Sequence, residues 1–197
     1  SFIADHDLRL THVTNTHSHP DHLVGNQLLL QQTGARFVDF DALMDKGGID
    51  IDGTTLHVMH TPGHTRDSVC FYFDGVLISG DTLFNGKVGR CFTGDVEGFF
   101  RSIKKILEFP DDTMIYAGHD YVEEYMAFAR ALEPDNTYID AYLANYDPAH
   151  VCATLGEEKQ VDPFLRFNDE KILRILEERG LPAGTEMERW KSLISLM

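Results

Sequence analysis

One short segment, HSHPDH at positions 17–22, holds four side chains of types that bind metal ions: His17, His19, Asp21 and His22. In an extended chain, side chains two residues apart point to the same side, so His17 and His19 can bind the same ion. Pro20 ends the extended stretch, and Asp21 and His22 can then bind a second ion close by. Many hydrolytic enzymes use a pair of divalent ions for catalysis. The spacing therefore predicts a site for two divalent metal ions.

Three further candidate ligands, His64, Asp81 and His119, each follow a glycine at a turn after an apolar run. A glycine at this place lets the backbone come close to an ion. One predicted ion has three imidazole ligands: His17, His19 and His64. The other has two imidazoles and a carboxylate: Asp21, His22 and His119. Asp81 bridges both ions, and Asp21 and Asp81 are the predicted catalytic carboxylates.

The ligand types favour zinc. Imidazoles and carboxylates without a thiolate suit zinc, with iron or manganese as alternatives. The other histidines lack a preceding glycine turn, and we interpret them as ordinary polar residues or hydrogen-bond partners of the ligands. They are His6, His12, His57, His60 and His150.

Strands and helices are mixed up to about residue 120, and only helices are predicted after it. Strands are predicted at residues 10–15, 35–40, 54–60 and 113–117, and a hairpin at 68–79 that turns at Asp74 and Gly75. Helices are predicted at residues 21–32, 95–108, 121–132, 137–145, 169–179 and 185–196. Thr185 and Glu188 form a capping box for the last helix. This order predicts an α/β domain over residues 1–120 and a helical region over residues 121–197.

Composition narrows the classes of partner. The 197 residues are 43% hydrophobic, which is enough for a real core, and no apolar run is long enough to cross a bilayer. The net charge of −15 opposes binding to nucleic acid and to anionic membranes. The three cysteines, Cys70, Cys91 and Cys152, form no CxxC pair, which favours free thiols in a reducing compartment, the cytoplasm. The chain start lacks the basic and apolar regions of a signal peptide.

Four motifs occur in a fixed order between residues 16 and 121: HxHxDH, PGHT, SGDTLF and GHDY. As a set they resemble the metallo-β-lactamase superfamily, and within it glyoxalase II, the hydroxyacylglutathione hydrolases. The segment DPFLRF at residues 162–167 is similar to the NPF(L/M)R segment of that family's helical domain. The resemblance covers most of the chain.

The resemblance implies an αββα sandwich with a dinuclear metal site, followed by a C-terminal helical region that helps to hold glutathione. Arg90 and Tyr121 match places where the family contacts glutathione, while Phe92 stands where a tyrosine is common. Further basic candidates for this contact are Lys87, Arg189 and Lys191. Glutathione carries two carboxylates and this chain is acidic, so basic side chains would supply a local clamp.

The sequence departs from the family pattern at its front, where only fifteen residues precede Thr16. Family members usually carry several strands of the first sheet there. We therefore expect an incomplete first sheet whose exposed edges are compensated by association of chains, for example in a homo-oligomer.

The implied reaction is hydrolysis of a small thioester, S-2-hydroxyacylglutathione. Two bound metal ions would lower the pKa of a bridging water, and Asp81 would orient the resulting hydroxide toward the thioester carbonyl. Asp120, beside His119, is either a partner of that ligand or a surface carboxylate. Two other functions stay open: a persulfide dioxygenase with one iron ion, and a metal-binding remnant without catalysis.

Overall fold

The computed structural model describes residues 2–197. The first part of the chain forms short elements: α1 (Phe2–Asp5), β1 (His12–Val13), α2 (Pro20–Leu23), α3 (Asn26–Thr33), β2 (Arg36–Phe37) and α4 (Phe40–Lys46). The middle part is rich in strands: β3 (Gly48–Ile51), β4 (Thr54–His60), β5 (Val69–Phe73), β6 (Val76–Gly80), β7 (Leu83–Phe84), β8 (Lys87–Val88), α5 (Val96–Ile106) and β9 (Met114–Ala117). The last part is mainly helical: α6 (Val122–Leu132), α7 (Tyr138–Asn145), β10 (Ala153–Thr154), α8 (Leu155–Val161), α9 (Glu170–Glu178) and α10 (Glu186–Ile194).

A six-stranded sheet with the order β10-β9-β6-β5-β4-β3 forms the centre of the fold. Neighbouring strands in it are antiparallel except for β6 and β9, which are parallel. The C-terminal ends of β4, β6 and β9 consequently lie at one edge of the sheet. The predicted mixed α/β fold with a C-terminal helical region is confirmed.

The predicted hairpin over residues 68–79 is present as β5 and β6. Asp74 and Gly75 have positive φ angles of 46° and 77°, the conformation that a tight two-residue hairpin turn requires. The predicted capping box at Thr185 and Glu188 also forms, with hydrogen bonds of 2.9 and 3.1 Å.

Three predictions near the front were wrong in extent. The strand predicted over residues 10–15 is limited to β1, because only His12 and Val13 pair with β2. The single helix predicted over residues 21–32 is divided into α2 and α3, because Gly25 lies between them and favours helix poorly. The strand predicted over residues 35–40 is limited to β2, because the Asp39 side chain accepts a hydrogen bond from the Ala42 N–H and starts α4. The elements α1, α4, β3, β7, β8, β10 and α8 were not predicted.

Each face of the large sheet has its own hydrophobic cluster. The larger cluster joins sheet residues such as Leu77 and Ile115 to Phe99 of α5 and to Phe164 and Trp190 of the helical region. The two sides of residue 120 therefore share one core, and the predicted division into two domains stays a prediction. The smaller cluster packs α4 on the opposite face through four buried residues: Leu43, Ile49, Val69 and Phe71.

The first sheet contains β1 and β2, paired in parallel. Several large apolar side chains around it are exposed, among them Phe37 and Leu28. Association of chains through this region stays a prediction.

Between residues 2 and 197, no helix has the length and apolar character needed to cross a bilayer. The three cysteines are unpaired thiols.

Candidate metal centre

The candidate site lies at the sheet edge where β4, β6 and β9 end. His64 follows β4, Asp81 follows β6 and His119 follows β9. The HSHPDH segment comes from the other side, with His17 and His19 in the loop after β1 and Asp21 and His22 in α2. The Thr16 carbonyl accepts a hydrogen bond of 2.8 Å from the Val69 N–H of β5. The large sheet thus supplies three candidate ligands and holds the segment that carries the other four.

The first group of donors consists of His17, His19, His64 and Asp81, whose ligand atoms all lie within 4.8 Å of one another. His17 Nε2 and His64 Nε2 each lie 3.0 Å from His19 Nδ1. His17 and His64 are buried, so water competes little for their nitrogen atoms. This group contains the three imidazoles that the sequence assigns to one ion.

The second group consists of Asp21, His22 and His119, again within 4.8 Å of one another. His119 Nε2 lies 3.1 Å from His22 Nε2 and 3.2 Å from Asp21 Oδ2. Asp21 is exposed, so this group faces solvent more than the first one does. It contains the three ligands that the sequence assigns to the other ion.

Asp81 lies between the two groups. Its Oδ1 is 3.3 Å from His22 Nε2 in the second group, and its Oδ2 is 3.4 Å from His64 Nε2 in the first. Mutual distance alone places Asp81 with the first group, but the contact with His22 shows that one carboxylate faces both. The structure therefore brings all seven predicted ligands together, and their binding of metal stays a prediction.

The donor set fits cations. Asp81 Oδ1 is buried and has no hydrogen-bond partner within residues 2–197, a costly arrangement unless a positive charge faces it. Several imidazole nitrogens also face one another at about 3 Å, and neutral imidazoles have lone pairs that repel at this distance unless a proton or a metal ion lies between them. This cluster therefore favours the binding of divalent metal.

Two glycines allow the close packing of the ligand loops. A Cβ atom on Gly118 would lie 2.2 Å from Asp81 Oδ1 and 2.8 Å from His22 Cε1. Gly80 has a φ of +53°, and a Cβ there would lie 2.5 Å from Thr16 Oγ1. Side chains at these positions would push the three ligand loops apart, which explains why glycine precedes Asp81 and His119.

The buried histidines are held in the neutral form. Burial, with the nearby rings of His22, His64 and His19, lowers the pKa of His17 from 6.5 to about 3. Burial also lowers the pKa of His64, although Asp81 opposes this shift. Neutral imidazole is the form that binds metal ions.

The ring of His64 is oriented by a backbone carbonyl. Its Nδ1–H donates a hydrogen bond of 2.9 Å to the Arg90 carbonyl, which leaves Nε2 as the free donor toward the cluster. Such a partner fixes both the tautomer and the ring orientation of a ligand histidine.

Aromatic rings border both groups of donors. The Phe92 ring contacts His19 and His64 edge-on at 5.6 and 5.2 Å between centroids. On the other side, Tyr121 stacks on His119 at 5.5 Å. Phe92 is 58% exposed and Tyr121 is 39% exposed, so both rings can also contact a substrate.

The predicted substrate contacts divide into two sets. The first set, Arg90 and Tyr121, is exposed at the border of the cluster. The Arg90 guanidinium lies 5.2 Å from the Phe92 ring centroid. The Lys87 ammonium lies over the ring of Tyr125 in α6 at 4.2 Å. Its described contacts are with the helical region and not with the donors.

The two C-terminal candidates are engaged elsewhere. Arg189 donates to the carbonyls of Phe167 and Ala183 and to the Asn168 side chain, bonds that tie α10 to the preceding loops. Lys191 forms an ion pair of 2.9 Å with Glu97 of α5. The structure gives both residues structural partners, and contact of either with substrate stays a prediction.

Sequence reasoning overlooked Asp67. Its carboxylate accepts a hydrogen bond of 2.6 Å from the Thr65 hydroxyl and another from Ser18, so it joins two ligand loops. Its position just after the PGHT motif was the available signal. Asp120, which the sequence left open, accepts hydrogen bonds from the Val122 N–H and the Tyr146 hydroxyl beside His119.

Comparison with known proteins agrees with this geometry. Residues 36–119 match the metallo-beta-lactamase superfamily, and residues 120–193 match the hydroxyacylglutathione hydrolase C-terminus. The hydroxyacylglutathione hydrolase of Chromohalobacter salexigens is 34% identical over 91% of this chain and 77% of that protein, and that of Vibrio cholerae is 32% identical over 98% and 84%. The crystal structure of ETHE1 from Myxococcus xanthus shares the fold, with a TM-score of 0.62 at 24% identity over 97% of this chain and 81% of that one.

Proposed function

Since the chain belongs to the hydroxyacylglutathione hydrolase family of the metallo-β-lactamase superfamily, we propose that it hydrolyses the thioester of S-2-hydroxyacylglutathione with two divalent metal ions. Zinc is the preferred ion, because the donors are imidazoles and carboxylates without a thiolate. The ligands are His17, His19 and His64 for one ion, Asp21, His22 and His119 for the other, and Asp81 for both. We assign metal binding and the Arg90 substrate contact to residues 1–120, and further substrate contact and support of the site to residues 121–197.

The arrangement of Asp81 carries this proposal. Its carboxylate faces both donor groups, within 3.3 Å of His22 and 3.4 Å of His64, while one of its oxygens is buried. Two bound ions would supply a water of lowered pKa as the nucleophile and positive charge for the developing oxyanion. A single ion would leave one group of donors without a role, which argues against the persulfide dioxygenase alternative.

The chain's own residues orient the ligand side chains and exclude water from the buried part of the site. Asp81 and His64 are buried, and the Arg90 carbonyl fixes the His64 ring, so this half of the site is set before substrate arrives. Asp21 stays exposed on the opposite side, where substrate and water can enter. A thiolate is a good leaving group, and the reaction therefore needs no strong general acid.

Recognition of the substrate requires positive charge on an acidic protein. Glutathione carries two carboxylates, and the net charge of −15 disfavours anions at a distance. Arg90 lies at the border of the cluster beside Phe92 and is our first candidate for a carboxylate contact. Tyr121 offers a hydroxyl on the opposite border.

The unpaired cysteines support a reducing compartment, the cytoplasm.

The test is hydrolysis of S-lactoylglutathione by the purified protein, measured as the loss of thioester absorbance. We expect turnover that a chelator abolishes and added zinc restores. S-lactoyl-N-acetylcysteamine, which has the thioester without the glutathione carboxylates, should be a much poorer substrate. Turnover that persists in chelator, or an equal preference for both thioesters, would contradict the proposal. Oxygen consumption with a persulfide would favour the dioxygenase instead, and the absence of any turnover would favour the remnant.

A further inference from the structure

A buried carboxylate in the helical region contacts the loop behind the metal cluster. Glu158 of α8 is fully buried, at 0% exposure. Its oxygens accept hydrogen bonds of 2.9 Å from the Asn85 side-chain amide, 2.6 Å from the Gly86 N–H and 2.6 Å from the Tyr142 hydroxyl. Two of these three donors belong to the turn of the β7–β8 hairpin. Glu158 therefore attaches that hairpin to the helical region.

The two ends of this hairpin reach candidate metal ligands. Its first strand begins two residues after Asp81. Its second strand leads into Gly89, which packs so closely on the Asp81 backbone that an added Cβ would lie 1.8 Å from the Asp81 carbonyl oxygen. The next residue is Arg90, whose carbonyl orients the His64 ring at 2.9 Å. A displacement of the hairpin would consequently move both Asp81 and His64.

We propose that Glu158 is a positioning residue that holds the β7–β8 hairpin and, through it, keeps Asp81 and His64 in their metal-binding arrangement. The inference rests on the proposed function in one respect, namely that Asp81 and His64 bind metal. It gives the helical region a second role beside substrate contact, because α7 and α8 then set the geometry of the site.

The chemistry of the contact requires a carboxylate. An ionised carboxylate only accepts hydrogen bonds, so it can serve all three donors at once. A glutamine has the same shape but presents an NH2 group on one side, which would face either the Gly86 N–H or the Asn85 and Tyr142 donors. A buried donor left without a partner costs stability and displaces the group that carries it. Glu158→Gln should therefore loosen the hairpin without removing the helix.

A matched control exists in the same region. Glu133 is also fully buried, but its carboxylate pairs with Arg166 at 2.6 Å and lies 4.0 Å from Lys171. Glu133→Gln should reduce stability without loosening the hairpin. Tyr142→Phe removes one of the three donors to Glu158 and is a milder variant should Glu158→Gln fold poorly.

The experiment measures backbone hydrogen exchange in the metal-free proteins, and then zinc affinity, kcat and KM in the loaded ones. In Glu158→Gln, exchange at residues 86–90 should rise at least about tenfold, and zinc affinity and kcat should each fall about 10- to 100-fold with KM nearly unchanged. Tyr142→Phe should show the same pattern more weakly. Glu133→Gln should leave residues 86–90 and zinc affinity as in the wild type.

Equal exchange and equal zinc affinity in Glu158→Gln and Glu133→Gln would overturn the inference, because Glu158 would then be only a structural residue. Failure of the proposed function looks different. In that case wild-type protein would bind no zinc and hydrolyse no thioester, while the exchange of residues 86–90 would still decide whether Glu158 holds the hairpin.

Discussion

The two halves of the candidate metal centre are built differently. His64, Asp81 and His119 follow strands of the large sheet, which is packed on both faces by hydrophobic clusters. Of the other four ligands, His17 and His19 lie in the loop after β1, and Asp21 and His22 lie in α2. Every residue of α2 and of the following α3 is at least partly exposed. The half that follows the strands is therefore fixed by the core. The other half is held mainly by a few hydrogen bonds and by the contacts among the ligand side chains.

This difference suggests how the site works. The packed half presents a fixed carboxylate and two imidazoles, while the exposed half can adjust to the ions and admit substrate. Regions with few buried apolar contacts open most easily, so metal should stabilise the exposed half more than the packed one.

The largest effect should come from Asp81, which belongs to the packed half and contacts His22 of the exposed half at 3.3 Å. Asp81→Asn should lower kcat more than about 100-fold, because losing a direct ligand costs more than losing a partner of a ligand. Metal content and turnover of S-lactoylglutathione measure this. Asp112→Asn on the surface is the control and should retain full activity. A fully active Asp81→Asn would remove the central link between the halves.

The packing difference predicts unequal losses of stability. Trp190 is fully buried against Phe99 and Phe100, and Trp190→Ala should lower the free energy of unfolding by about 3–5 kcal/mol. Leu28 in α3 is 57% exposed, and Leu28→Ala should change it by less than about 0.5 kcal/mol. Urea denaturation of the metal-free proteins gives both values. Similar losses would mean that the front of the chain is packed as tightly as the rest.

Arg90 borders the packed half and should act on substrate affinity. Arg90→Ala should raise KM for S-lactoylglutathione about tenfold with a smaller change in kcat, since a hydrogen bond to a charged group contributes about 1.5–3 kcal/mol. Arg189→Ala is the contrast, because Arg189 bonds to backbone carbonyls at 2.8 and 3.0 Å and should affect stability rather than KM. A higher KM in Arg189→Ala with an unchanged KM in Arg90→Ala would instead assign the contact with the glutathione carboxylate to the C-terminal helix.

The effect that is smallest near neutral pH is the titration of His17. The native pKa of His17 is about 3, below its usual value of 6.5, so neutral His17 contributes stability that is fully present above pH 6.5. That contribution is lost as pH falls toward 3, because the unfolded state binds the proton more readily. Metal-free wild type should thus lose stability over this range, and His17→Gln should lose less. Parallel pH profiles for the two proteins would contradict the assigned burial.

The site was more predictable than the elements that carry its front half. Alternation in the HSHPDH segment and glycines before the other three ligands identified seven donors that the structure brings together. The helices after residue 120 were predictable because amphipathic patterns and caps such as Thr185 and Glu188 mark them locally. Gly25, by contrast, divides a segment whose apolar pattern favours one continuous helix. In β3, Ile49 and Ile51 alternate with Asp50, but this alternation is too short to identify a strand.

Side-chain roles that depend on distant contacts could not be read from the sequence. Glu158 lies in a stretch with other charged residues, and nothing local shows that it is buried against Asn85 and Gly86. Arg189 looked like a free cation, but its guanidinium is occupied by backbone oxygens brought close by the fold. In both cases the partner lies far away in sequence.

The central claim is that two ions occupy the pocket formed by the seven donors. The most direct measurement is elemental analysis of zinc-loaded, dialysed wild-type protein beside His19→Ala and His119→Ala, each of which removes a ligand from one group. We expect two zinc ions per wild-type chain and fewer in each variant. One ion or none in the wild type, or two ions retained in both variants, would contradict it.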